Sequence, residues 1–379
     1  MDTIRPEIQL LKYAARTQID PRAQQSIEQL FSRSFDWNYF RQAAVNHGVA
    51  ALCYSQLLTA CPDLVPIEQM EWLRLHARTV AARALQLAAR LGEIVERAGQ
   101  AGIPCVPYKG PVLAEMAYGN LGLREFVDLD FILLQENLRE AWKLLEDLGY
   151  RPVNAALAAD SAVARDECVF VSTEKSVQVE LRTEITLRHF PAQPSLESLL
   201  GARVPVTVAG KRLPTFCPED TLTLLAVHGT KDFWARLLWI CDVDRLVQIP
   251  GFDWDRALDR AGQMGCRRMT HLALLLASEL LETPMPREVL GVAQEDAKDR
   301  VTARRLSGRL FSAEAMKRWE QLRYRMAVVE GFWPGLRYAA RLGTAPSAED
   351  LQTIRLPQKL SFLYRLIRPI RLLCARDRQ

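Results

Sequence analysis

The run Val127–Leu134 (VDLDFILL) restricts the fold more than any other segment of the chain. Acidic and apolar side chains alternate through Asp128, Leu129, Asp130 and Phe131 before the run becomes wholly apolar, which is the period of a strand and not of a helix. Asp128 and Asp130 therefore project side by side from one face. By itself the pair also suits a solvated edge strand. The large apolar neighbours instead argue for a buried one, where uncompensated carboxylates cost several kcal/mol and need a metal ion or a basic side chain opposite them.

The flanking segments give this strand its setting. Ile103–Tyr108 is a short apolar run with two prolines, and Lys109-Gly110-Pro111 then opens a helical pattern through Val112, Leu113, Met116 and Ala117, a strand–glycine turn–helix layout. Leu138–Leu148 reads as an amphipathic helix closed by Gly149, and Val169–Ser172 with Ser176–Leu181 reads as a strand pair carrying Glu180. Residues 1–100 read as helical, with a start at Asp20-Pro21 and a long helix over Glu68–Gln100. Helices are predicted at 218–230, 233–248, 253–262 and 265–282. Residues 283–350 look less regular, and Leu356–Arg378 combines an apolar stripe with Arg365, Arg368, Arg371, Arg376 and Arg378, which points to a packed C-terminal helix. The expected class is α+β and mostly helical, with a small mixed sheet in a core over 101–215 between helical regions at 1–100 and 216–379.

Composition narrows the function classes. A chain of 379 residues can bury a large core, and its net charge of +4 falls short of the basic footprint of a dedicated nucleic-acid binder. Apolar runs are too short for a membrane span, and Asp2, Arg5, Glu7, Lys12 and Arg16 interrupt what would be the apolar core of a signal peptide, so the expected location is cytoplasmic. The eight cysteines follow no zinc-ligand or disulfide spacing.

Two carboxylates two positions apart on a strand, with a third on a neighbouring strand, are suited to hard divalent cations, Mg²⁺ or Mn²⁺, which bridge a triphosphate and stabilise attacking and leaving oxygens. Glu180 is the candidate third ligand beside Asp128 and Asp130. Gly110, on a strand-to-helix turn with Lys109, lets backbone approach phosphate oxygens or simply makes the turn. Arg124 has a planar fork for phosphate or for an orienting salt bridge. His228 and Lys231, at i and i+3, face one way, Lys231 toward a triphosphate and His228 toward acceptor, or else cap their helix. Asp242 reads as structural, anchoring Arg or Lys, while His47, His76 and His271 read as packed or surface histidines.

The reaction class expected from this set is transfer of a nucleoside monophosphate from an NTP to a hydroxyl or phosphate of a small molecule or modified peptide, with pyrophosphate leaving and the proton passing to Glu180 or solvent. Two alternatives share the residues: sugar transfer from a nucleotide sugar with the same divalent ion, and a catalytically degenerate nucleotide-binding regulatory partner. The Lys109-Gly110 turn favours the first over sugar transfer, and three filled acidic positions disfavour degeneracy.

Tyr108-Lys109-Gly110, Tyr118 and Arg124-x-x-x-Asp128-Leu129-Asp130 together resemble bacterial nucleotidyltransferase family proteins of the DNA polymerase β-like superfamily. The likeness continues through Val179-Glu180-Leu181, Pro218-Glu219-Asp220, His228-Gly229-Thr230-Lys231 and Leu238–Asp242, with further matches toward both ends of the chain. The resemblance implies metal ligation by Asp128, Asp130 and Glu180 and a triphosphate cradle at Gly110. One departure stands out: Glu180-Leu181-Arg182-Thr183 replaces the family's Asp-Leu-His-Trp-like run, which lengthens the third carboxylate and puts a guanidinium beside it.

Overall fold

The computed structural model describes residues 5–31, 34–153, 167–174, 176–186, 190–191, 195–312 and 314–344. The basic stretch Leu356–Arg378 and Cys374 lie outside the described residues.

VDLDFILL forms the second strand of a five-stranded sheet. In chain order the strands are β1 (Cys105–Pro107), β2 (Asp128–Leu133), β3 (Tyr150–Pro152), β4 (Glu167–Ser172) and β5 (Gln178–Arg182), and their spatial order is β1-β2-β5-β4-β3. Only the β2–β5 pair is parallel, which makes the sheet mixed. The two-residue alternation sorts β2 between two cores. Leu129, Phe131 and Leu133 pack with Leu87, Leu91, Ile94 and Trp142 from the helices Ile67–Gln100 and Leu138–Asp147. Asp128, Asp130 and Ile132 point the other way, where Ile132 joins the main helical core.

That main core is built from both ends of the chain. Leu10, Leu11, Phe40 and Leu52, from N-terminal helices, share one buried cluster with Leu225, Leu238, Ile240, Met269 and Leu272 from the helices Pro218–Lys231, Leu237–Leu246 and Arg267–Leu281. Polar locks run across it. Asp244 accepts from Thr17 Oγ1 at 2.6 Å, Thr283 Oγ1 at 2.7 Å and Gln248 Nε2 at 2.9 Å, while Arg16 meets Glu282 at 2.6 Å.

Three sequence expectations need correction. The described part of 283–350 holds regular structure, in helices Arg287–Glu295, Ala297–Arg309, Arg318–Ala327 and Phe332–Thr344. A helix over 233–248 starts only at Leu237, because Phe233 and Trp234 take left-handed backbone (φ 57° and 52°) and the Trp234 N–H donates back to Gly229 O at 2.7 Å. The turn folds the Trp234 ring onto Gly229, where a Cβ would meet it at 2.6 Å. Finally, an antiparallel hairpin, β6 (Arg203–Val208) and β7 (Lys211–Phe216), follows the sheet where the sequence reading placed no element; β6 alternates exposed and half-buried positions, and β7 turns buried toward its end.

No helix among the described residues is long and apolar enough to cross a membrane. The seven described cysteines are buried free thiols.

Candidate active site

Parallel pairing sets Asp130 opposite Glu180 and Asp128 opposite Gln178, so the three acidic side chains leave the sheet on one face. Asp130 is only 2% exposed and Glu180 is also buried. Their compensation comes from within the chain. Lys109 Nζ lies 2.8 Å from Asp130 Oδ1, and Arg182 bonds Glu180 Oε2 through Nη2 at 2.7 Å while its Nε stands 3.7 Å from Asp130 Oδ1. Gln178 Nε2 donates to the other Glu180 oxygen at 3.1 Å. Burial, the largest single influence on Lys109, would weaken its proton affinity, but the charge and hydrogen bond of Asp130 together with Tyr108 outweigh it and hold the lysine protonated beyond its ordinary range.

Asp128 differs. It has no hydrogen bond or ion pair among the described residues, and burial, then the charge of Asp130, pushes its carboxyl above the usual range. Both aspartates line a cleft of about 320 Å³. Thr79, Val80, Arg83 and Ala84 from the long helix form one wall; Glu125, Phe126 and Val127 lead into β2; and His228, Arg236, Leu238 and Trp239 close the other side.

Gly110 makes the approach of the first turn to β2 possible. Its φ of +55° is left-handed, and a Cβ there would stand 3.3 Å from the Asp128 carbonyl oxygen. Helix Gly110–Leu113 then runs into a π-turn, Ala114–Tyr118, of the kind frequent at functional sites. The Tyr118 hydroxyl donates to Asp242 Oδ1 at 2.7 Å, joining Arg124, whose Nε and Nη2 grip the two Asp242 oxygens at 2.8 and 2.9 Å. Arg124 thus lines the cleft but turns its fork to Asp242 and not to Asp128, and Asp242 is the structural anchor its sequence context suggested.

The structure brings Lys109, Arg124, Asp128, Asp130 and His228 to one cleft, with Glu180 beside Asp130 across the strand pair. Lys231 is not among the lining residues. His228 packs edge-on against Trp239 with ring centroids 4.9 Å apart and lies 3.4 Å from Asp232. Burial, followed by the charges of Lys109, Arg182, Arg124 and Lys231, drives its pKa well below the ordinary value, so it is neutral at pH 7.

Sequence reasoning missed Arg83, Arg236, Phe126 and Trp239. Arg83 donates to Gln86 and to the Ser176 carbonyl, and the Arg236 side chain makes no hydrogen bond or ion pair among the described residues, so neither guanidinium is paired with a carboxylate there. Nothing in one-dimensional spacing marks them: Arg83 is one of several arginines on a long helix, and Arg236 reaches the cleft through the left-handed turn at Phe233–Trp234.

Oxygen donors for a hard cation are Asp128, Asp130 and Glu180, although among the described residues no three acidic, histidine or cysteine side chains are already drawn together as a metal cage. A cleft walled by arginines above paired aspartates can hold a polyanion against a cation. No curated protein matches the sequence. Residues 33–282, which carry the sheet, the cleft and the glycine turn, match the sequence model of a family described as an uncharacterised nucleotidyltransferase, and the chain belongs to that family of phosphorus-group transferases.

Proposed function

We propose that the protein is a divalent-cation-dependent nucleotidyltransferase that moves a nucleoside monophosphate from an NTP to a hydroxyl or phosphate of a small molecule or modified peptide. The observation that carries this reading is Asp128: a largely buried carboxylate, unpaired among the described residues, beside Asp130 and open to a cleft with two arginines free of carboxylate partners. A lone carboxylate held at that depth beside a second one invites a cation.

The donor set fits a hard divalent ion. Asp128 and Asp130 would hold it, with the Glu180 carboxylate kept beside them by Arg182 and Gln178. Bound there, Mg²⁺ or Mn²⁺ supplies charge neutralisation at the bridging and leaving oxygens of the triphosphate. In this scheme Arg236 and Arg83 draw in the phosphates, and the Gly110 turn admits the donor close to the Asp128 backbone. Lys109 holds Asp130 in place, and neutral His228, braced on Trp239, presents an imidazole to the acceptor side. Both Glu180 oxygens are engaged by Arg182 and Gln178, so the acceptor's proton passes to solvent.

Doubly labelled donors test the reaction class. Incubated with each of the four NTPs and a small-molecule and peptide extract, the protein should carry an α-phosphate label into product and release a γ-label as pyrophosphate, only with Mg²⁺ or Mn²⁺ present. Transfer of the γ-label, or turnover of nucleotide sugars alone with release of nucleoside diphosphate, contradicts the proposal.

A further inference from the structure

The position after Glu180 and Leu181 holds a guanidinium, and its contacts distinguish this site from a plain three-carboxylate cluster. Arg182 bonds Glu180 Oε2 at 2.7 Å and stands 3.7 Å from Asp130 Oδ1, between the two buried carboxylates that face each other across β2 and β5. Lys109 meets the same Asp130 oxygen at 2.8 Å. The nearby Arg124 does not enter this balance, because Asp242 neutralises it. Among these five side chains three carboxylates face two cations, and the negative charge left over falls on the residue that opens to the cleft, Asp128.

We infer that Arg182 takes the place of one metal ion, so that the site accepts a single divalent cation on the Asp128 side and not a pair. A second ion needs Glu180, and that requires breaking a buried, charge-assisted contact between Arg182 and Glu180, a change costing on the order of several kcal/mol. One divalent ion already more than neutralises the remaining charge. The inference rests on the nucleotidyltransferase reading above but concerns the number of ions, which that reading leaves open.

Counting bound Mn²⁺ tests it without reference to turnover. The full chain is titrated with Mn²⁺ alone and with each of the four α,β-methylene nucleoside triphosphates, and free and bound Mn²⁺ are followed by electron paramagnetic resonance. Wild type should bind one ion per chain with no Mn–Mn coupling. Arg182→Gln should bind two, and Arg182→Lys, which keeps the charge, should stay at one. A coupled pair in wild type overturns the inference while leaving the nucleotidyltransferase reading intact. So does Arg182→Gln still binding one ion with a native circular dichroism spectrum. If Arg182→Gln does not fold, wild type and Arg182→Lys decide: one uncoupled ion in each supports the inference, and a coupled pair in either overturns it. No bound ion under any condition overturns both this inference and the metal dependence on which it rests.

Discussion

Asp128 and Asp130 are two residues apart on one face of a strand, yet they make opposite contributions to stability. Asp130 is buried against Lys109 at 2.8 Å, whereas Asp128 has no partner among the described residues and its carboxyl is shifted upward by burial and by Asp130. A carboxyl whose folded pKa exceeds its unfolded one stabilises the fold below the ordinary carboxylate range and loses that contribution as pH rises through the shifted value. Asp128→Asn should therefore be at least as stable as wild type at pH 7, with the difference in Tm shrinking below about pH 4, while activity falls on the order of a thousandfold. Thermal melts across pH beside a pyrophosphate assay check both halves. Asp130→Asn should behave differently, leaving the Lys109 ammonium buried without its counter-charge and lowering stability by about 3–5 kcal/mol in urea unfolding. Adjacent acids of one motif are thus separable by their contacts: both line the cleft, but only Asp130 is also held in an internal ion pair, with Lys109.

At the scale of elements, turns and caps decide what reaches the cleft. Gly110 holds φ +55°, and a Cβ there would stand a tight 3.3 Å from the Asp128 carbonyl, so Gly110→Ala should cost about 1–2 kcal/mol from left-handed backbone alone and reduce turnover through a small shift of β2. The strand with its aspartates, the long helix, the amphipathic helix before Gly149 and the glycine turn were legible in the sequence, because each is a local pattern of period or punctuation. What was not legible depends on contacts remote in sequence: the left-handed turn at Phe233–Trp234 that delays the next helix, the Arg124 fork closing on Asp242 at 2.8 Å, and the regular helices after residue 283. His47 is another such case. Its Nδ1 accepts from the Leu237 N–H at 3.3 Å, which needs the neutral ring, and burial followed by the charge of Arg236 lowers its pKa to about 4. A depressed histidine pKa means that the unfolded chain binds the extra proton, so the fold should lose up to about 3 kcal/mol as pH drops from 6.5 to 4. His47→Gln should flatten that slope in denaturant titrations at successive pH values.

Across the whole molecule, the ends of the chain make one core and the middle makes the site. Leu10, Phe40 and Leu52 pack with Leu238, Met269 and Leu272, and buried Asp244 bonds both Thr17 and Thr283. The helix Leu237–Leu246 that closes the cleft is fixed by this core and by the Arg124–Asp242 pair, so the helices that carry Leu10, Phe40 and Leu52 support a site they do not line. Asp244→Ala should remove these polar locks and lower stability by about 2–4 kcal/mol, estimated from the loss of several buried hydrogen bonds, with Mg²⁺-dependent NTP binding retained in the folded fraction. The central claim, that the aspartate pair forms the cation seat of a nucleotidyl-transfer site, is tested most directly by isothermal titration of the four NTPs into wild type and Asp128→Asn, with and without Mg²⁺. The account predicts binding of at least one NTP by wild type only when Mg²⁺ is present, and none by the folded variant. Binding that ignores Mg²⁺, or that survives unchanged in Asp128→Asn, would contradict it.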